Sequence, residues 1–257
     1  MRKIIPLTLA ALLLALGIGG PAHAQSVDAL IARHLAAKGG LDKLKAVSTM
    51  RITARGTIPS INLEFPVIVA TKRPNLFYQE SAVGGQKVIA GFDGTRAWLV
   101  NPILGIAKPV DVQGAQLEAM KRQADYDGPL VDSKAKGITV DYAGSETLDG
   151  KKVEHLKLTT ANGQVQHLYL DADTALEVKS VVELKTDDRV TTMESVYSNY
   201  QPVDGLMMAH TIQQKVNGQV LQLAIEKVEL SPALDDALFK APEAPAPAAA
   251  TPAPKNQ

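Results

Sequence analysis

The feature that most constrains this chain is a change of period near residue 48. Before it, Val27, Leu30, Ile31 and Leu35 recur at helical spacing behind a capping Ser26, and Gly39-Gly40 supplies the stop. A short second helix is expected from Leu41 to Val47. After it, apolar and polar residues alternate in short runs broken by Pro59-Ser60, Pro74-Asn75, Gly84-Gly85 and Asp93-Gly94. Extended segments are predicted at 48 to 57, 61 to 72, 76 to 82, 86 to 92 and 95 to 101, then at 138 to 146, 151 to 160, 165 to 171, 176 to 185, 189 to 200, 206 to 216 and 219 to 230. One helix, about Val112 to Asp125, interrupts the series. Many short strands with tight turns specify a mainly β, antiparallel barrel or sandwich.

Two hairpins can be read to the level of side chains. Asn217-Gly218 suits a two-residue type I′ turn, which pairs Val216 with Gln219, Ile212 with Leu223 and His210 with Ile225. That register collects Met208, Ile212, Val216, Leu221, Leu223 and Ile225 on one apolar face. Around Asn162-Gly163 a three-residue loop is expected, pairing Leu156 with Leu170 and Leu158 with Leu168.

The ends of the chain read differently. Arg2 and Lys3 precede an apolar run from Leu7 to Ile18, then Gly19-Gly20-Pro21 and Ala22-His23-Ala24, which together make a secretory signal peptide over 1–24, cleaved after Ala24. One domain is expected over 25–240, and the Pro/Ala-rich stretch 241–257 reads as a disordered tail. Loss of Arg2 and Lys3 leaves 25 basic against 27 acidic residues, a net charge of −2. That balance offers nucleic acid no electrostatic attraction. There is no cysteine, hence no disulfide framework, thiol chemistry or lipid-acceptor cysteine.

Candidate chemistry is sparse. The chain contains no Gly-x-Ser-x-Gly elbow and no phosphate-binding glycine loop. In the expected register His155 and His167 share a face but stand about four residues apart, roughly 13 Å, too far to share a metal ion. His34 belongs to the first helix, and His210 is either a satisfied interior histidine or a polar group in a cavity. Asp125 with Asp127, and Asp187 with Asp188, sit beside loop residues, where solvated turn carboxylates are the usual explanation. No catalytic residue, metal site or cofactor is expected, and binding is favoured over enzymatic catalysis.

The stretch Lys72-Arg73-Pro74-Asn75-Leu76-Phe77-Tyr78, followed by Phe92-Asp93-Gly94-Thr95-Arg96-Ala97-Trp98-Leu99-Val100-Asn101-Pro102, resembles two motifs of the periplasmic LolA-type lipoprotein carriers, in the same order and at a similar separation. The early helix, the mid-chain helix and the late run Leu234 to Pro242 match the family layout more loosely. The tail, the longer second half and an aromatic content of 4% depart from it. The resemblance implies an incomplete antiparallel β-barrel covered by short helices. It makes Arg73 a gate that hydrogen-bonds the covering helices, and Phe77 a residue of the cavity mouth. Phe65, Trp98, Leu117, Met120, His210, Ile212 and Leu223 are the further candidates for the cavity lining. The implied role is that of a monomeric periplasmic carrier. It would take lipidated protein or lipid cargo from an inner-membrane donor complex to an outer-membrane acceptor. The alternative on the same fold is a lipid- or lipoprotein-sensing module of an envelope-stress or assembly complex.

Overall fold

The computed structural model describes residues 26–186 and 189–243. The expected leader 1–24 and its cleavage site, most of the tail 241–257, and Asp187 with Asp188 lie outside the described residues.

Helix α1 (Val27–Ala37) begins where expected: the Ser26 hydroxyl accepts a hydrogen bond from the Ala29 N–H at 3.2 Å. Helix α2 (Leu41–Ala46) follows after Gly39-Gly40. Strands β1 (Thr49–Ile58), β2 (Leu63–Lys72), β3 (Leu76–Val83), β4 (Gln86–Phe92), β5 (Ala97–Asn101) and β6 (Ile106–Asp111) then form an antiparallel meander. Helix α3 (Gly114–Ala124) leads across to β7 (Thr139–Leu148), β8 (Lys151–Thr159), β9 (Val165–Asp171), β10 (Glu177–Thr186), β11 (Arg189–Val203), β12 (Leu206–Val216) and β13 (Gln219–Leu230). Strand β6 was missed in the sequence because its core, Ala107-Lys108-Pro109, carries a proline and little alternation.

All 13 strands join one sheet in the order β6-β5-β4-β3-β2-β1-β13-β12-β11-β10-β9-β8-β7. The chain therefore works outward from β1 to one edge, crosses to the other edge, and returns to pair β13 with β1. Edges β6 and β7 do not pair with each other, so the sheet stays an open half-barrel. The crossing falls to α3, which packs on β3 and β4 from one half and on β10 from the other.

Apolar side chains on one face of the sheet meet the helices. Leu30 of α1 packs on Leu156, Leu158, Leu168 and Leu170. Met120 and Ala124 of α3 pack on Phe77, Phe92 and Ala97, while Leu44 of α2 and the adjoining Val47 pack on Leu206. The opposite face is covered at one place by the C-terminal segment, where Leu234 and Phe239 sit on Ala70. Among the described residues, no helix is long and apolar enough to cross a membrane.

Asn217 and Gly218 have φ of 50° and 79°, as a type I′ turn requires, and Val216 pairs with Gln219 and Ile212 with Leu223. The β12–β13 ladder ends at Thr211 with Ala224, so the expected His210–Ile225 pair is not part of it. In the other hairpin the register is shifted by two: Leu156 pairs with Leu168 and Leu158 with Gln166, leaving a five-residue loop 160–164. The hydroxyl of Thr160 accepts from the Gln164 N–H at 3.0 Å and closes that longer loop. An even shift preserves which face each leucine occupies, so the core forms as expected although its partners change.

Candidate functional site

The concave face carries an apolar cavity of about 260 Å³ between β1, β2, β3, β12 and β13. Period-2 alternation places its walls: Met50, Ile52 and Ala54 from β1, Phe65, Val67 and Val69 from β2, and Leu221, Leu223 and Ile225 from β13. Phe77 of β3 and Ile212 of β12 complete the apolar lining. Gly56 pairs with Phe65 across β1 and β2, and a Cβ there would lie 2.6 Å from the Phe65 ring. The missing side chain lets that ring lie across the strand into the cavity. The polar lining consists of Thr71, Gln79, Ser81, Gln123 and Gln214, and none of the lining residues is charged.

Arg73 follows β2 directly, two residues beyond Thr71. Its Nε donates to the Val47 carbonyl at 2.7 Å and its Nη2 to the Leu44 carbonyl at 2.9 Å. These acceptors lie at the C-terminal end of α2, where helix carbonyls have no partner within the helix and a cation is favoured. The other edge of the guanidinium meets Asp127, Nη1 to Oδ2 at 2.5 Å and Nη2 to Oδ1 at 2.6 Å. Its plane lies over the Tyr126 ring, 5.2 Å from the centroid. One side chain thus fastens the end of β2 to α2 and to the turn that leaves α3. The Arg73 guanidinium holds the Asp127 carboxyl below the usual carboxylate range, and burial pushes the Tyr126 hydroxyl up to about 12. Around this pair, Lys136 binds Asp125 at 2.6 Å and Lys45 binds Asp132 at 2.8 Å, tying the same loop to α2.

The expected reading of Asp125 and Asp127 as solvated turn carboxylates is therefore overturned. Asp127 is the anionic partner of Arg73, with only 14% of its side chain exposed. Nothing local marks it, because its partner lies 54 residues away in sequence.

Of the candidate cavity residues, Phe65, Phe77, Ile212 and Leu223 line the cavity. Leu117 and Met120 of α3 pack behind Phe77, against Phe92 and Val112, rather than facing the open space. His210 lies on the same side of β12 as Ile212 by alternation, but its Nδ1 is 3.0 Å from the Met208 carbonyl and it does not reach the lining. Trp98 is on the other face altogether. Its indole N–H donates to the Phe239 carbonyl at 3.0 Å, and its ring lies 6.5 Å from that of Tyr78 beneath the C-terminal segment. The cause is parity: Ala97 and Leu99 take the inward positions of β5.

The histidines also differ from expectation. The two-residue change in register brings His155 Nε2 to 2.8 Å from His167 Nδ1, not about 13 Å. His155 Nδ1 is 2.6 Å from a Glu146 carboxylate oxygen, so both nitrogens of that ring already have partners. Among the described residues, no group of three or more histidine and carboxylate side chains is arranged to hold a metal ion. His34 is on the buried side of α1, with Nδ1 at 2.9 Å from the Ala175 carbonyl, and burial pushes its pKa down to about 4.

No protein-family model and no curated protein matches the chain. Solved structures do. A LolA superfamily protein from Nitrosomonas europaea superposes with a TM-score of 0.55 at 15% identity, over 82% of this chain and 96% of that one. The chain has a LolA-type fold. An outer membrane lipoprotein-sorting protein domain from Vibrio parahaemolyticus gives a TM-score of 0.53 at 13% identity, over 82% and 94% of the two chains. A DUF1329 family protein from Desulfovibrio piger gives 0.56 at 14%, over 83% and 97%. At these identities the likeness is one of LolA-type architecture, matched over nearly the whole of each relative.

Proposed function

We propose that this protein is a periplasmic carrier that acts by binding rather than by catalysis. It holds acyl chains of lipidated proteins in the cavity of the half-barrel and carries them toward the outer membrane. The observation that supports this reading best is the cavity itself: an apolar concavity without a charged lining residue, bordered by Gln123 of α3, the helix whose following turn one arginine ties down. Transfer of an acyl chain from water into such a space yields about 0.8 kcal/mol per buried CH₂, so a short length of chain supplies useful affinity. Loading and unloading require the roof to lift, which breaks the contacts of Arg73. A two-point, charge-assisted pair is stronger than a single neutral hydrogen bond. In this account, an inner-membrane donor and an outer-membrane acceptor provide the free energy to open it, and the carrier works as a monomer.

The test is purification from the periplasm followed by lipid extraction and mass spectrometry. Reproducible co-purification of lipoprotein or acyl lipid is expected. An empty cavity together with a stable protein partner would instead favour a sensing module on the same fold.

A further inference from the structure

The polar lining residues point to one class of ligand. Thr71 is a lining residue, 4% exposed, and its buried hydroxyl has no hydrogen-bond partner. Leaving a buried hydroxyl unpaired costs free energy in the empty protein. Gln79 lies on the neighbouring strand, Gln123 on the roof helix and Gln214 on the far wall. All are lining residues, and none has its side-chain amide bonded to another described residue in the structure. Hydroxyl and amide groups bond neutral carbonyls well, but they do not neutralise charge. No arginine or lysine lines the cavity, and the guanidinium of Arg73, two residues beyond Thr71, is bonded to Asp127.

We infer that the cavity selects an acyl chain by its neutral ester carbonyl, bonded by Thr71 and the glutamines, and rejects the same chain as a free carboxylate. This inference rests on the carrier reading and specifies what that site takes. A carboxylate or phosphate drawn into this space would be desolvated with no opposing charge, which is far costlier than an unpaired dipole. The chain and its ester enter, and any charged portion stays outside. The volume of about 260 Å³ is below the about 300–1,000 Å³ of sites that enclose drug-sized ligands.

The probes are 1-monolaurin and sodium laurate, titrated calorimetrically below their micellar concentrations at pH 8 into the wild type and Thr71→Val. The ester is expected to bind at least about a hundredfold more tightly than laurate. Thr71→Val is expected to weaken the ester about two- to twelvefold, leave laurate unchanged, and unfold at a denaturant concentration no lower than the wild type. A dilauroylglyceryl-cysteine peptide and dilauroyl phosphatidylglycerol both carry the ester, so the tighter of the two names its source. Laurate binding as tightly as monolaurin, or an unchanged ester affinity in Thr71→Val, would overturn the inference. Failure of every acyl probe to bind would overturn the carrier reading beneath it.

Discussion

Arg73 and Asp127, 54 residues apart in sequence, form a two-point ion pair of 2.5 and 2.6 Å that joins β2 to the turn after α3, while the same guanidinium holds the end of α2. Because 26% of the arginine and 14% of the aspartate side chain is exposed, the pair is partly desolvated and its loss is felt. Arg73→Leu strands Asp127 and is expected to cost about 3–5 kcal/mol, within the about 5–15 kcal/mol that a domain has. Asp127→Asn is expected to cost about 1–3 kcal/mol. Denaturant unfolding checks both values. In a vesicle-to-acceptor assay both variants should release cargo faster than the wild type, and unchanged transfer would rule out the latch.

Acid should loosen α1 before it reaches the Arg73–Asp127 pair. His34 has a folded pKa of about 4 against an ordinary 6.5, so the folded state binds fewer protons than the unfolded one. Its contribution is complete above pH 6.5 and falls, by up to about 3 kcal/mol, as pH drops through 4. Asp127, lowered by Arg73, loses its contribution only below the ordinary carboxylate value of 3.8. Glu177, pushed up to about 7 by burial, works in the opposite sense, being stabilising as pH falls from 7 towards 4.5. The informative comparison is therefore wild type against His34→Asn. The variant should show a flatter loss of stability between pH 6.5 and 4, and equal slopes would contradict the assignment.

The single tryptophan reports on the outer face, not on the cavity. Trp98 and Phe239 are each 1% exposed, so Phe239→Ala should cost about 3–5 kcal/mol and shift Trp98 emission to the red. Binding of an acyl ester should leave that emission in place. Strong quenching of Trp98 by a brominated chain would put the ligand on the wrong side of the sheet.

Gly56→Ala tests how Phe65 is held. The new Cβ, 2.6 Å from the ring, forces Phe65 to move within the cavity, and acyl affinity should fall without loss of the fold. Affinity equal to the wild type would mean that the Phe65 ring contributes nothing to the site.

Local pattern carried the strands, the turns and the facing of the leucines, because alternation decides which side of a strand is buried. It also carried Phe65, Phe77, Ile212 and Leu223 to the cavity, since three of them lie in strands whose alternation is regular and Phe77 belongs to the recognised run. What failed depended on distance in sequence or on loop length. Trp98 is capped by Phe239, 141 residues away, and no pattern within β5 announces that cover. Asp127 lies on the crossing between the two edges of the sheet, 54 residues from its partner Arg73. His155 and His167 were misplaced because a five-residue loop and a three-residue loop keep the same leucine facing while moving the polar face by two residues.

The most direct measurement is photocrosslinking with a monoacylglycerol that carries a diazirine near the end of its chain, followed by peptide mapping. Label is expected on the β1, β2 and β13 peptides containing Ile52, Val67 and Leu223, with excess unlabelled ester competing it away. Label confined to the outer face around Trp98 and Phe239, or label that competitor does not displace, would contradict the carrier account.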